Sequence, residues 1–377
     1  MLLLKITKES FMIFKKIGVL FTSLLLLVSC ASVKEKTTQT SLDSNKTKPK
    51  NIILLIGDGM GLSQISASYY YNDSTPSFDR FETIGLIKTS SASELITDSA
   101  SSATAYATGI STYNGAVGVN VDTIAVKTII EHLIPRNIST GIISTSSVVH
   151  ATPASFYAHV KSRRLYDDIA SFLPDSNLDF IAGGGSQFFD NRKDMRDIFK
   201  ELKNKGYEVH KNTLPFEASE KKQAIILAPD GMPKMLEGRG DFLPNTTKLA
   251  LEKLSKNDNG FFLLVEGSQI DWAGHSNEAD YLISELLDFD KTIGVALDFA
   301  KNNPETLVLV TADHETGGFT LAQDGKDYNK IKPVFSTGGH SATLIPIFAK
   351  GPGEDNFKGI FKNTVLFDKL MSLYGIN

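Results

Sequence analysis

Five branched apolar residues in a row, Ile52-Ile53-Leu54-Leu55-Ile56, run directly into Gly57-Asp58-Gly59. A half-exposed strand alternates polar and apolar residues. An unbroken run has to be covered on both faces, as a central strand of a parallel sheet is. Shorter runs of the same kind recur at 84–89, 140–144, 180–182, 224–227, 261–265, 307–310 and 344–348. Helical spacing falls between them at 99–108, 126–133, 165–172, 193–203, 246–254, 278–300 and 364–374. This alternation predicts a single large α/β domain over 51–377, with a central, mostly parallel β-sheet flanked by helices. No repeat or linker interrupts it.

Polar residues with metal-binding chemistry sit where these runs end. Asp58 follows the first strand, Glu266 the 261–265 run, and Asp313 and His314 the 307–310 run. Ligands of open α/β sheets bind at the carboxyl ends of the strands, so residues distant in sequence are expected to meet there. Asp271 and His275 stand four apart, as in a metal-binding turn, and His340 lies farther along. Carboxylate oxygen with imidazole nitrogen suits zinc, and all-oxygen sets suit magnesium. Each pair alone is equally a solvated aspartate and a core histidine; together, at strand ends, they read as a site. The adjacent Asp313 and His314 cannot share a helix face, so they serve one metal from a loop or face different partners.

Ser99 follows Asp98, a good helix N-cap, and opens the small-residue helix Ser99-Ala-Ser-Ser-Ala-Thr-Ala. The helix N-terminus favours an anion there. A serine hydroxyl needs activation to act as a nucleophile, and a coordinated metal can supply it. Without metal residues Ser99 would be an ordinary capping position. Arg163 offers a fork suited to two phosphate oxygens.

Charge narrows the function classes. The chain has a net charge of −4 and a single cysteine, Cys30, so no intramolecular disulfide forms. Lys5, Lys8, Lys15 and Lys16 give a basic start, followed by an apolar stretch at 17–28, too short to span a membrane, and by Ser29-Cys30. Residues 1–30 are therefore expected to be a lipoprotein-type signal peptide, with lipid on Cys30 as membrane anchor. The protein is expected to be exported, as a periplasmic or outer-membrane lipoprotein. Residues 31–50, rich in Ser, Thr and Lys, read as a flexible tether. Without residues 1–29 the net charge is −7, and without the tether −10. No basic stripe survives, which argues against nucleic acid as a partner. An acidic body that acts on an anion has to attract it locally, and bound metals do so.

The motifs Gly57-Asp58-Gly59-Met60-Gly61, Thr97-Asp98-Ser99-Ala100, His150-Ala-Thr152-Pro153-Ala154, Arg163, Glu266-Gly-Ser-Gln-Ile-Asp271, Asp313-His314-Glu-Thr-Gly-Gly and Gly338-Gly339-His340 resemble, in order, those of alkaline phosphatases. The resemblance runs from about residue 51 to the C-terminus. The chain looks especially like the short enzymes of cold-living marine bacteria. It implies an alkaline-phosphatase-like fold and hydrolysis of phosphate monoesters at alkaline pH through a phosphoserine on Ser99, with Arg163 holding the phosphate. It implies a first Zn2+ on Asp271, His275 and His340, which activates the attacking water. A second Zn2+ on Asp58, Asp313 and His314 would activate Ser99, and one Mg2+ would sit on Asp58, Thr152 and Glu266.

His150 and Trp272 stand where the best-known enteric member has aspartate and lysine. This departure bears on the third metal, and implies weaker product binding and faster release. Only a brief loop lies between Phe319 and Lys332, where larger relatives carry a crown insert, so a homodimer would have reduced contacts there. His132, His159 and His210 match no ligand position. Two alternatives stay open: a phosphodiesterase of the same superfamily, and a non-catalytic lipoprotein that binds zinc or phosphate. A sulfatase is disfavoured, because Ser99 is followed by Ala-Ser-Ser rather than the x-Pro-x-Arg setting those enzymes need.

Overall fold

The computed structural model describes residues 48–376. The expected signal peptide, Cys30 and most of the expected tether lie outside the described residues. The tether's last residues already belong to the domain: Pro49 is buried, and the Lys50 amide donates to Glu305 O at 2.8 Å.

The strands in chain order are β1 (Asn51–Gly57), β2 (Thr83–Lys88), β3 (Ser139–Ser147), β4 (Phe180–Gly184), β5 (Tyr207–His210), β6 (Lys222–Ile226), β7 (Phe261–Gly267), β8 (Thr306–Thr311), β9 (Glu315–Thr316), β10 (Thr320–Asp324), β11 (Asp327–Val334), β12 (His340–Ser341), β13 (Ile345–Lys350) and β14 (Gly359–Lys362). Ten of them form one sheet in the order β14-β2-β13-β8-β1-β7-β3-β4-β6-β5. β13 runs antiparallel to both its neighbours, and every other pairing is parallel. The mostly parallel sheet expected from the sequence is therefore present. β1, β7 and β8 sit at its centre and are buried along their whole length, which is why their sequences do not alternate.

Register positions the site. Ile56 of β1 lies level with Glu266 of β7 and Thr311 of β8, and Ser144 of β3 lies level with Glu266. The chain beyond these points, Asp58, Ala312-Asp313 and His150–Thr152, emerges on one edge. Gly59 turns there with φ 72°; a Cβ on it would come within 2.8 Å of Asp271 Cα and Thr316 Oγ1. Only glycine fits so close an approach.

The structure departs from the sequence expectation at several elements. Leu62–Tyr71 is a helix that ends in three tyrosines, residues of modest helix propensity. Asp271 and His275 lie within a helical element, Gln269–Ser276, not an isolated turn. Asn277 ends it in a left-handed conformation, φ 55°, before the long helix Ala279–Asn302 begins. β5 and β14 were not expected; both are four-residue edge strands with mixed polarity. The span expected as a brief loop after Phe319 is a hairpin, β10 against β11, with Tyr328 exposed.

Candidate active site

The Ser99–Thr108 helix is buried on every side, which explains its Ser, Ala and Thr composition. Asp98 caps it by accepting from Ser101 N at 3.0 Å, and Gly109 closes it at φ 76°. Two side chains of the helix fasten it to the chain after β8. Ser102 Oγ donates to Asp313 O at 2.8 Å, and Tyr106 Oη to Ala312 O at 2.7 Å. Ser99 is thereby held at the sheet edge with its Oγ 3.2 Å from His314 Nε2. No histidine near Ser99 in sequence could have indicated this.

Two donor sets surround it. Asp271, His275 and His340 form one, and Asp58, Asp313 and His314 the other; within each set the ligand atoms lie within 4.8 Å of one another. His275 Nε2 and His340 Nε2 face each other at 3.1 Å, and the rings of His314 and His340 stack at 3.5 Å. The other nitrogen of each ring is already engaged: His275 Nδ1 with Gly338 O at 2.7 Å, His340 Nδ1 with Thr97 O at 2.8 Å, and His314 Nδ1 with Thr316 Oγ1 at 3.2 Å. With the proton on Nδ1, each Nε2 presents a lone pair to the centre, the usual arrangement behind metal-binding imidazoles. Thr316 Oγ1 also donates to Asp271 Oδ1 at 2.5 Å, so one hydroxyl joins both sets. Thr316 is a residue the sequence reading missed; nothing in its local pattern sets it apart.

A third group is all oxygen. Ser144 Oγ donates to Glu266 Oε2 at 2.5 Å, leaving Oε1 without a partner. Both carboxylate oxygens of Asp58, Asp313 Oδ2 and Thr152 Oγ1 are likewise buried without a hydrogen bond, and His314 Nε2 lies 3.5 Å from Asp58 Oδ1 and 3.2 Å from Asp313 Oδ2. Buried polar atoms are seldom left so, and a run of them on one edge fits bound cations. Burial, then the charge of Asp313, pushes the Asp58 carboxyl well up; burial also raises Asp313 and pushes Glu266 up to about 7. Burial and the neighbouring His340 lower His314, keeping it neutral and ligand-competent. So many carboxylates cannot all ionise in this interior without cations.

Arg163 donates from Nη1 to Asp98 Oδ2 at 2.9 Å. Asp98 in turn accepts from Gly115 N on both oxygens, at 3.0 Å each, and Arg163 N donates to Gly115 O. Burial raises the Asp98 carboxyl, but Arg163 and these amides outweigh it and hold it below the usual range. A cavity of about 380 Å³ is lined by Ser99, Asp98, His150, Arg163, Asp271, His275 and His340, together with Arg164 and Tyr166. The sequence-predicted residues thus converge. Trp272 does not line that cavity; its ring meets His150 edge-on at 5.8 Å and lies under Gly231. Burial, then the Arg163 charge, lowers His150 to about 3, so it carries no charge at neutral pH. His159 and Glu131 pair at 3.2 Å, His210 pairs with Glu208 at 3.1 Å, and His132 packs near Phe367, all away from the donor sets.

Comparison with known proteins agrees. The alkaline phosphatase family model matches residues 49–334. The chain is 38% identical to alkaline phosphatase 3 of Bacillus subtilis (strain 168) over 327 residues, 82% of this chain and 70% of that protein. It is 31% identical to the Escherichia coli (strain K12) alkaline phosphatase, over 89% of this chain and 88% of that one. The solved alkaline phosphatase of the Antarctic bacterium TAB5 is 52% identical with a TM-score of 0.86, over 88% of this chain and 99% of that one. A histidine-to-aspartate mutant of that enzyme has Mg bound in its M3 site. Family model, sequence relatives and structural neighbours coincide, and the chain belongs to the alkaline phosphatase family.

Proposed function

We propose that Ser99 is the nucleophile of this phosphomonoesterase and Arg163 its phosphate clamp. Hydrolysis of phosphate monoesters is the activity its family membership carries; the roles of individual residues are our reading. The observation that carries it is the placement of Ser99 Oγ beside His314, between two donor sets that meet at the stacked His314 and His340. In the first half, the Ser99 Oγ–P bond forms, the ester P–O bond breaks, and the alcohol leaves with a proton. In the second, water attacks phosphorus, the Oγ–P bond breaks, a proton from that water returns to Ser99 Oγ and phosphate departs. Asp98 fixes the Arg163 guanidinium so that its remaining N–H groups meet two phosphate oxygens. The N-terminus of the Ser99–Thr108 helix adds its N–H dipoles.

Asp271, His275 and His340 would hold one Zn2+, and Asp58, Asp313 and His314 a second. Asp58, Thr152 and Glu266 would hold Mg2+. When bound, such ions lower the pKa of oxygen nucleophiles and stabilise charge in the transition state. The mixed carboxylate–imidazole sets support zinc, and the all-oxygen group supports magnesium. We further propose export by the 1–30 signal, lipid on Cys30, a tether from 31, and a periplasmic or outer-membrane site. The basic start, apolar 17–28 stretch and Ser29-Cys30 support this. Among the described residues no helix is long and apolar enough to cross a membrane. A homodimer with small contacts at the β10–β11 hairpin completes the proposal; sedimentation checks it.

The test is kcat/KM on p-nitrophenyl phosphate and its bis-ester at alkaline pH. A large preference for the monoester, with kcat lowered about 10³-fold or more in Ser99→Ala, is expected. Preference for the diester would move the function to phosphodiester cleavage. Zinc content without turnover would leave a binding protein.

A further inference from the structure

Next to the cavity that holds Ser99 and Arg163 lies a second one of about 280 Å³, and the two share Arg164 and Tyr166. The second is completed by Leu165, Asp167, Asp168 and Phe188. Its components follow from the local chain. Arg163 turns back to Asp98, and Tyr166 opens the next helix, Tyr166–Ala170. The Tyr166 ring packs on Phe188 at 4.8 Å with 32° between planes. The Tyr166 hydroxyl has no hydrogen-bond partner among the described residues, and neither does the exposed Arg164 guanidinium. Asp167 and Asp168 follow directly, yet neither forms an ion pair with Arg164; Asp167 lies 4.0 Å from Arg192 instead.

We propose that this second cavity is a leaving-group subsite for the nucleoside part of a nucleoside monophosphate; this rests on the Ser99–Arg163 reading of the phosphate site. With phosphate on Arg163, the esterified alcohol extends past Arg164 towards Tyr166. A flat base finds the tilted Tyr166–Phe188 pair as a stacking surface. The unpaired Arg164 guanidinium covers a ring face or donates to its acceptor atoms. The carboxylates of Asp167 and Asp168 accept from sugar hydroxyls and exocyclic N–H groups. A short alkyl alcohol would use none of these groups, and a lipid tail would meet charged walls. The two volumes together lie within the range of about 300–1,000 Å³ typical of small-molecule sites.

The experiment compares kcat/KM for AMP, phenyl phosphate and glycerol 2-phosphate in the metal-loaded protein and in Tyr166→Ala, Tyr166→Phe and Arg164→Ala. The AMP to glycerol 2-phosphate ratio is expected to fall about tenfold or more in Tyr166→Ala, as loss of a base-stacking ring does, and to be kept in Tyr166→Phe. Adenosine, which carries no phosphate, is expected to compete with substrate in the wild type and to lose that ability in Tyr166→Ala. An unchanged ratio, or no adenosine binding by calorimetry, would overturn the subsite. Equal losses for phenyl phosphate and AMP in every variant would overturn the nucleoside assignment. Failure to turn over any monoester would instead count against the Ser99 reading, while the adenosine titration still decides the subsite.

Discussion

Glu266 concentrates the electrostatic problem of the site in one side chain. Three serine hydroxyls crowd it, Ser144, Ser146 and Ser268, two of them bonding its Oε2 and the third bonded to Ser144, while its Oε1 has no partner. Burial raises its folded-state pKa to about 7 from the ordinary 4.5. The metal-free native state therefore binds more protons than the unfolded chain between those values. Its stability contribution is present at the acid end and is lost as pH rises through about 7. Glu266→Gln removes that loss. In excess chelator the variant is expected to melt above the wild type well above pH 7, with the gap closing towards pH 4.5. With Glu266 as the proposed Mg2+ ligand, the order should reverse when Mg2+ is present, because the amide of the variant lacks the carboxylate's negative charge. Equal melting of the two chelated proteins at alkaline pH would show that the carboxylate is not held against ionisation. Arg163 makes a simpler prediction: Arg163→Ala should lower kcat/KM on a monoester by about 10²–10³-fold, read by steady-state kinetics.

Among elements, the segment from Gly231 to Gly240 shows how packing supports the site from behind. Arg239 is fully buried and donates to Glu285 Oε2 at 2.6 Å and Asp288 Oδ2 at 2.8 Å on the long helix. Glu285 also accepts from Met235 N. Met232 O and Thr145 O accept from Gln269 Nε2, and Tyr281 Oη donates to Gln269 Oε1. This network locks the start of the helix that carries Asp271 and His275. Arg239→Met would leave two buried carboxylates without their cation, at a cost of about 3–5 kcal/mol, measurable as a shift in denaturant midpoint. A change below about 1 kcal/mol would mean water reaches the pair.

Burial on both faces decides which strands the sequence discloses. β1, β7 and β8 were readable because two covered faces leave an uninterrupted apolar run. Asp58, Glu266 and Asp313 were readable because they end such runs. The Leu62–Tyr71 helix and the edge strands β5 and β14 were not, since tertiary contacts override weak local preferences there. The hydrogen bonds between Gly338 O and His275 and between Thr97 O and His340, and the bond by which Thr316 joins His314 to Asp271, span 63, 243 and 45 residues. Local spacing cannot report them.

For the whole molecule, the proposed cations would couple to the fold. The donor residues come from the ends of β1, β3, β7 and β8, from the helix Gln269–Ser276 and from β12, so bound metal would tie these elements together at the carboxyl edge of the central sheet. Chelation is expected to lower the melting temperature and re-addition of Zn2+ and Mg2+ to restore it. A ligand at a thousandfold excess over its Kd contributes about 4 kcal/mol. Identical melting with and without chelator would contradict the coupling.

In the proposed reaction Ser99 carries the phosphoryl group. Its most direct test is acid quenching of the metal-loaded enzyme during turnover of a 32P-labelled monoester, followed by peptide mapping. A phosphoserine at Ser99 places label on the peptide that begins the Ser99–Thr108 helix, at Ser99, and none in Ser99→Ala. Turnover without covalent label, or label on another residue, would contradict it.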